Sequence, residues 1–146
     1  MHFEGEYIVN AQREQVWNYI SDPHNALEYV PNIKKLEVLS EDRFNATVSV
    51  GVGGIKGTFN LEFQILENIS PSHAKIKASG EGIRSVVHLE TKIDVSDTPD
   101  GKTLMKWMAD AKVGGLIAGV GQRLLRMVAN KMLKEGFEQL RSQLEK

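Results

Sequence analysis

The C-terminal segment, residues 115–146, predicts one long helix with more apolar surface than a helix on a sheet needs. At about 100° per residue, one apolar stripe runs along the whole segment. Its members are Ala118, Leu125, Ala129, Met132, Leu133, Phe137, Leu140 and Leu144. A second stripe, on the opposite side of the first half only, consists of Leu116, Ile117, Val120, Leu124, Met127 and Val128. Because one stripe is enough to cover a sheet, the second must contact a ligand in a hollow interior, a partner chain or a membrane surface.

The composition is that of one ordinary globular domain. With 146 residues, 41% of them hydrophobic and 25% charged, the chain can bury a substantial core. No repeat or linker divides it, so we predict a single domain over residues 1–146. With a net charge of −1, the chain lacks the excess of basic residues that is typical of nucleic-acid-binding proteins. The absence of cysteine excludes disulfides, thiolate metal sites and cysteine nucleophiles.

Membrane signals are weak in this sequence. The opening residues are not a basic segment followed by an apolar stretch. No window approaches the roughly 18 consecutive apolar residues of a membrane span, so we expect a cytoplasmic location. The C-terminal helix carries more basic than acidic residues, which suits either an anionic membrane surface or a solvated helix face. A peripheral position at the inner membrane face and a homodimer both stay open.

The order of elements predicts an antiparallel sheet and a long helix. A short strand over residues 3–9 is followed by two short helices, the second beginning at Pro23 with Asp22 as its cap. From Ile33 the apolar period changes from helical to two and predicts about six consecutive strands. Their turns fall at residues 53–54, 68–72, 80–82 and 98–101. Such a meander, curved around the last helix, encloses a cavity of the kind that binds small molecules.

Strand parity and side-chain size predict which residues face this cavity. The predicted ligand-binding residues are Trp17, Tyr29, Phe59, Leu61, Phe63, Trp107, Leu116, Val120, Leu124 and Met127. Large apolar side chains at such positions also serve as core filler, so the pattern leaves both roles open.

The polar residues predict no catalytic or metal site. The histidines are His2, His24, His73 and His88, and no two of them have metal-ligand spacing. No nucleophile motif and no pair of carboxylates in one apolar setting can be identified. Asp110 lies between Ala109 and Ala111 with strand parity opposite to Trp107, which favours a cross-strand salt bridge. We therefore predict a protein that is not an enzyme and has no metal or cofactor.

A glycine-rich segment at residues 51–57 could be mistaken for a phosphate-binding loop. Phosphate loops lead from a strand into a helix, whose N-terminus binds the anion. Here strands are predicted on both sides, which favours a glycine-rich hairpin.

Several segments together resemble the CoxG family of carbon monoxide dehydrogenase subunits, within the Bet v 1-like, START-related (SRPBCC) superfamily. They are Phe3-x-Gly5, Val16-Trp17, Asp22-Pro23, Val30-Pro31-Asn32, the run VGVGGIKGTF at residues 50–59 and GGLIAGVG at residues 114–121. The resemblance implies the α+β helix-grip fold, in which a curved antiparallel sheet wraps a long C-terminal helix.

The resemblance also implies an accessory protein that assists molybdenum-containing carbon monoxide dehydrogenases. Roles implied for the family are maturation, membrane recruitment and the carriage of a lipophilic, quinone-like molecule. We therefore expect a hydrophobic small molecule as ligand, and an anionic membrane surface or a partner enzyme at the first half of the helix. Two alternatives stay open: a cyclase- or hydrolase-like enzyme on the same fold, and an interaction or membrane-recruitment module without a ligand.

Overall fold

The computed structural model describes residues 1–146 and contains one antiparallel sheet of seven strands. The strands are β1 (His2–Val9), β2 (Ile33–Val38), β3 (Arg43–Val52), β4 (Ile55–Ile69), β5 (His73–Gly82), β6 (Ser85–Asp97) and β7 (Thr103–Gly115). The helices are α1 (Arg13–Ser21), α2 (Ala26–Tyr29) and α3 (Gln122–Leu144), with 3₁₀ turns at Pro23–Asn25 and Ile117–Val120. The predicted α+β architecture, with its consecutive antiparallel strands, is confirmed.

The strand order is β1-β7-β6-β5-β4-β3-β2. Strands β2 to β7 form the predicted meander, and β1 joins it by pairing with β7, the last strand. Register shifts interrupt the pairing between Ile33 and Lys35 in β2 and between Ile65 and Glu67 in β4. Because a bulge bends its strand and increases the local twist, these irregularities help to curve the sheet around α3.

The prediction of one helix starting near Gly115 is wrong. Strand β7 continues to Gly115, a 3₁₀ turn follows, and α3 begins only after Gly121. Gly121 has φ 96° and ψ 151°, a backbone conformation that is essentially restricted to glycine. The apolar periodicity continues across this break because both helical segments face the same sheet.

The predicted start of the second short helix is confirmed. The Asp22 carboxylate accepts a hydrogen bond from the His24 backbone N–H at 3.0 Å, and Pro23 occupies the first position of the turn. Proline suits this place because its N–H would be unpaired there in any case.

Two apolar clusters fix α3 to the rest of the molecule at its two ends. The cluster at the C-terminal end of α3 contains Val9, Val16, Trp17, Val95, Met105, Leu140 and Leu144. The cluster at the N-terminal end contains Val52, Phe59, Ile117 and Leu125. The middle of α3 stands apart from the sheet, and the resulting space is lined by all four residues of the N-terminal cluster and by Met105 of the C-terminal cluster.

A candidate ligand-binding cavity between the sheet and the long helix

An apolar cavity of about 410 Å³ lies between the inner face of the sheet and α3. Of its 23 lining residues, 22 are hydrophobic, and Thr91 is the exception. The N-terminal residues and strands contribute Met1, Phe3, Val48, Val50, Val52, Phe59, Leu61, Val87, Leu89, Thr91, Ile93, Met105, Trp107, Ala109, Ala111 and Val113. The helical segments contribute Ile117, Leu125, Val128, Ala129, Met132, Leu133 and Phe137.

The wall follows directly from the two periodicities of the sequence. Within each strand the lining residues are two apart, because alternate side chains of a strand point to the same face. On α3 they recur at intervals of three and four, because such positions share one helix face. Ala109, Ala111 and Ala129 lie on this wall, and their small side chains leave the space unfilled.

Three of the predicted ligand-binding residues, Phe59, Leu61 and Trp107, lie on the cavity wall. Trp17 is instead 4% exposed within the C-terminal cluster, and Tyr29 packs against that cluster. Burial raises the pKa of Tyr29 to about 12, so its hydroxyl stays neutral at physiological pH. Phe63 lies outside the cavity lining and stacks on Phe44 with 4.8 Å between ring centroids.

The four predicted residues of the C-terminal segment also lie away from the cavity wall. Leu116 and Met127 are 48% and 62% exposed. Leu124 and Val120 pack against the β3–β4 turn, where a Cβ added to Gly53 would lie 2.9 Å from a Leu124 methyl group. Their ligand contacts stay a prediction, as do those of the other six residues.

Sequence reasoning missed most of the helical wall because it assigned the long stripe to the sheet. Leu125, Ala129, Met132, Leu133 and Phe137 belong to that stripe, and all of them line the cavity. The stripe faces the sheet as predicted, but an empty space separates the two surfaces. Ala129, a small residue among the larger apolar residues of this stripe, was the one indication in the sequence that the space is left empty.

Trp107 has a distinctive environment on this wall. Its indole stacks on Phe137 with 5.8 Å between ring centroids, and Phe137 stacks on Tyr7 at 4.0 Å. The indole edge lies over Gly5 of β1, where an added Cβ would come within 2.9 Å of Nε1. Nε1 is the one buried side-chain nitrogen or oxygen without a hydrogen-bond partner.

An outer cleft of about 660 Å³ lies beside the cavity, between β1 and α3. Phe3, Trp107 and Leu133 line both the cleft and the cavity. Arg126 lines the cleft, where its guanidinium donates to the His2 carbonyl at 3.0 Å and lies over the Phe3 ring. Asn130 and Lys134 of α3 also line the cleft.

Several ionisable groups of the sheet form pairs with groups on neighbouring strands. Asp110 lies 2.8 Å from His2 across β1 and β7, which confirms the predicted cross-strand salt bridge. His73 is held between Asp94 at 2.7 Å and Glu67 at 2.9 Å. Hydrogen bonds to Asp94 and then Glu67 raise the pKa of His73 above its usual value. No ionisable side chain lines the cavity itself.

Two further features describe the molecule as a whole. No group of three or more His, Asp or Glu side chains is arranged to hold a metal ion. None of the helices is both long enough and apolar enough to cross a membrane.

Comparisons with known proteins place this architecture among its relatives. The model of the CoxG family of carbon monoxide dehydrogenase subunits matches residues 5–145. A conserved protein from Geobacillus kaustophilus is similar with a TM-score of 0.92 at 27% identity, over 99% of this chain and 95% of that chain. Among curated proteins, none matches the sequence.

Two more distant solved structures share the fold. A START superfamily protein from Mycobacterium smegmatis has a TM-score of 0.79 at 14% identity, over 99% of this chain and 97% of that chain. The Zhui aromatase/cyclase from a Streptomyces species has a TM-score of 0.75 at 16% identity, over 99% of this chain and 93% of that chain. These likenesses confirm the predicted START-related, helix-grip fold.

Proposed function

Because the chain belongs to the CoxG family of carbon monoxide dehydrogenase subunits, we propose that it is a non-enzymatic accessory protein whose cavity binds a lipophilic molecule. Family and fold together support a ligand-binding accessory role. The ligand class that we propose is lipid- or quinone-like, and the partner is a molybdenum-containing dehydrogenase.

The observation that carries this proposal is the cavity of about 410 Å³ with its almost wholly hydrophobic wall. Small-molecule sites in proteins typically have volumes of about 300–1,000 Å³. Each methylene group that moves from water into such a site gains about 0.8 kcal/mol. An apolar ligand therefore obtains its affinity here from burial, without needing a charged partner.

The same wall argues against the cyclase- or hydrolase-like alternative. General acid–base catalysis needs a titratable group within hydrogen-bond reach of the reacting atoms. No titratable side chain lies on the cavity wall, and the ammonium group of Met1 is engaged with the Ala111 carbonyl. The cyclase neighbour is only 16% identical and shares the fold alone, so its activity does not transfer to this chain.

A series of straight-chain alcohols tests the proposal. Displacement of the neutral fluorophore 1-naphthylamine, which is small enough for the cavity, would give the Kd of each alcohol. Affinity should rise about fourfold per added methylene. At roughly 30 Å³ per methylene-sized group, the gain should stop near fourteen non-hydrogen atoms, where the 410 Å³ cavity is full. Absence of fluorophore binding, or a gain that continues without a limit, would contradict binding in this cavity.

We further propose that the first half of the C-terminal segment contacts an anionic membrane surface. Leu116 and Met127 are large, apolar and 48% and 62% exposed. Between residues 112 and 134 the chain carries five Lys or Arg and no Asp or Glu. Each basic residue close to an anionic bilayer contributes about 1 kcal/mol, so the charge of this segment favours a membrane over a neutral protein surface.

Co-sedimentation with vesicles tests this contact. The wild type should bind vesicles that contain phosphatidylglycerol and should not bind pure phosphatidylcholine. A Leu116→Asp, Met127→Asp double variant should lose binding, whereas Leu27→Asp, at a 52% exposed leucine of α2, should retain it. Equal sedimentation of all three proteins would refute the contact. So would a wild-type dimer that the double variant dissociates, because the face would then bind a second copy of the chain.

A further inference from the structure

Trp107 stands at the boundary between the interior and the outside. Together with Phe3 and Leu133 it lines both the apolar cavity and the outer cleft between β1 and α3. These three side chains form the neck between the two spaces. Gly5 contributes no side chain at this point, and the indole occupies the space that a Cβ there would need.

The indole N–H at the neck has no hydrogen-bond partner. Nε1 is buried, and the neighbouring β1 residue offers only backbone whose inward side is covered by the ring. Buried polar groups are nearly always paired, and an unpaired one costs free energy. The observed position of the indole is therefore stabilised by the stacking of Trp107 on Phe137 and opposed by the unpaired N–H.

The polar surroundings of the two spaces differ. The cavity side offers one other polar side chain, the hydroxyl of Thr91, which can both donate and accept hydrogen bonds and so favours neither kind of head group. On the cleft side, Arg126, Asn130 and Lys134 can donate hydrogen bonds. The carboxylates of Glu4 and Glu6 also line the cleft, but they are already paired with His2 at 3.1 Å and Lys106 at 3.6 Å. An indole N–H can only donate, so it pairs only with a hydrogen-bond acceptor.

We propose that the ligand is an amphiphile whose apolar part fills the cavity and whose head group carries an acceptor oxygen bound by the Trp107 N–H at the neck. The indole tips off Gly5 to make this bond, and the head group then faces the cleft and its polar rim. This inference rests on the proposed function, because it assigns the orientation and the head-group chemistry of the ligand in that same cavity.

A matched pair of probes tests the proposal. Butylbenzene and butyrophenone share one skeleton and differ by a carbonyl oxygen at one carbon. In the wild type the ketone should gain affinity over the hydrocarbon through the indole bond. Trp107→Phe keeps an aromatic ring and removes the donor, so the ketone-to-hydrocarbon affinity ratio should fall about three- to tenfold. Leu140→Ala, in the C-terminal cluster and outside the cavity lining, should leave the ratio unchanged.

The indole resonances of ¹⁵N-labelled wild type give a second readout that needs no variant to fold. The Trp107 N–H signal should move downfield with butyrophenone and not with butylbenzene. An unchanged affinity ratio in Trp107→Phe, or identical indole shifts with both probes, would overturn the assignment while leaving the proposed function intact. Failure of both probes to bind the wild type would overturn the proposed function and this inference together.

Discussion

Filling the cavity with a side chain should abolish ligand binding without unfolding the protein. Ala129 of α3 lies on the cavity wall, and Ala129→Phe adds a benzene ring at that point. Benzene fits an engineered protein cavity of about 150 Å³. The new ring would therefore take a little over a third of the 410 Å³.

The cost to a ligand that fills the cavity follows from this volume. At roughly 30 Å³ per methylene-sized group, the ring displaces about five such groups. At about 0.8 kcal/mol each, the ligand loses about 4 kcal/mol, and its Kd rises about a thousandfold. Burial of the ring gains about 1.5–3 kcal/mol and imperfect packing costs about 1–3 kcal/mol, so the free energy of unfolding should change little.

Fluorophore titration and urea unfolding of the same preparations measure both effects. The matched control is Gln139→Phe, which places the same ring at an exposed position of α3 and should leave the Kd unchanged. If Ala129→Phe folds and its Kd rises less than tenfold, the fluorophore binds elsewhere and the volume argument fails.

Three further outcomes follow from the fold. Leu140→Ala, in the C-terminal cluster, should lower the free energy of unfolding by about 2–5 kcal/mol and leave the fluorophore Kd unchanged, as urea unfolding and titration would show. Gly121→Ala should cost about 1–3 kcal/mol in urea unfolding, because φ is 96° there. His73→Gln should lower the thermal midpoint at about pH 6 and have a smaller effect at about pH 9. The raised pKa of His73 means that its protonated ring stabilises the fold below about pH 6.5, and that this stabilisation is lost as the pH rises through the folded-state pKa.

Two of these outcomes have a control variant in the chain. Gly119→Ala should cost less than Gly121→Ala, since an added Cβ meets open space at both positions and only Gly121 has positive φ. His88→Gln removes an exposed histidine that has no ion-pair partner, and should not reproduce the pH dependence. A Kd that rises together with the loss of stability in Leu140→Ala would contradict the placement of Leu140 outside the cavity lining.

The fold was predictable because its signals are local. Alternation in the strands, most of the turn residues between them and Asp22-Pro23 at the second short helix each act over a few residues, and the structure follows them. The turn predicted at residues 80–82 is wrong: these residues continue β5, and the chain turns at Ile83 and Arg84, which adopt positive φ without being glycines. The break at Gly121 was missed because apolar periodicity does not report φ. Only the sequence of closely spaced glycines hinted at it.

The site was only partly predictable because a cavity is defined by what side chains do not fill. Strand parity correctly assigned Phe59, Leu61 and Trp107 to the inner face. Neither strand parity nor helical spacing could show that Phe63 would stack on Phe44, or that Trp17 would pack in the C-terminal cluster. These contacts depend on where α1, α2 and α3 cross the sheet. Such long-range packing cannot be inferred from any single position of the sequence.

Native mass spectrometry of protein purified from its own host shows whether the cavity is occupied in the cell. We expect a wild-type species that carries one lipophilic small molecule, which organic extraction removes, and an Ala129→Phe species that carries none. Wild-type protein without any adduct, or an adduct retained equally by Ala129→Phe, would contradict the claim that this cavity is a ligand-binding site.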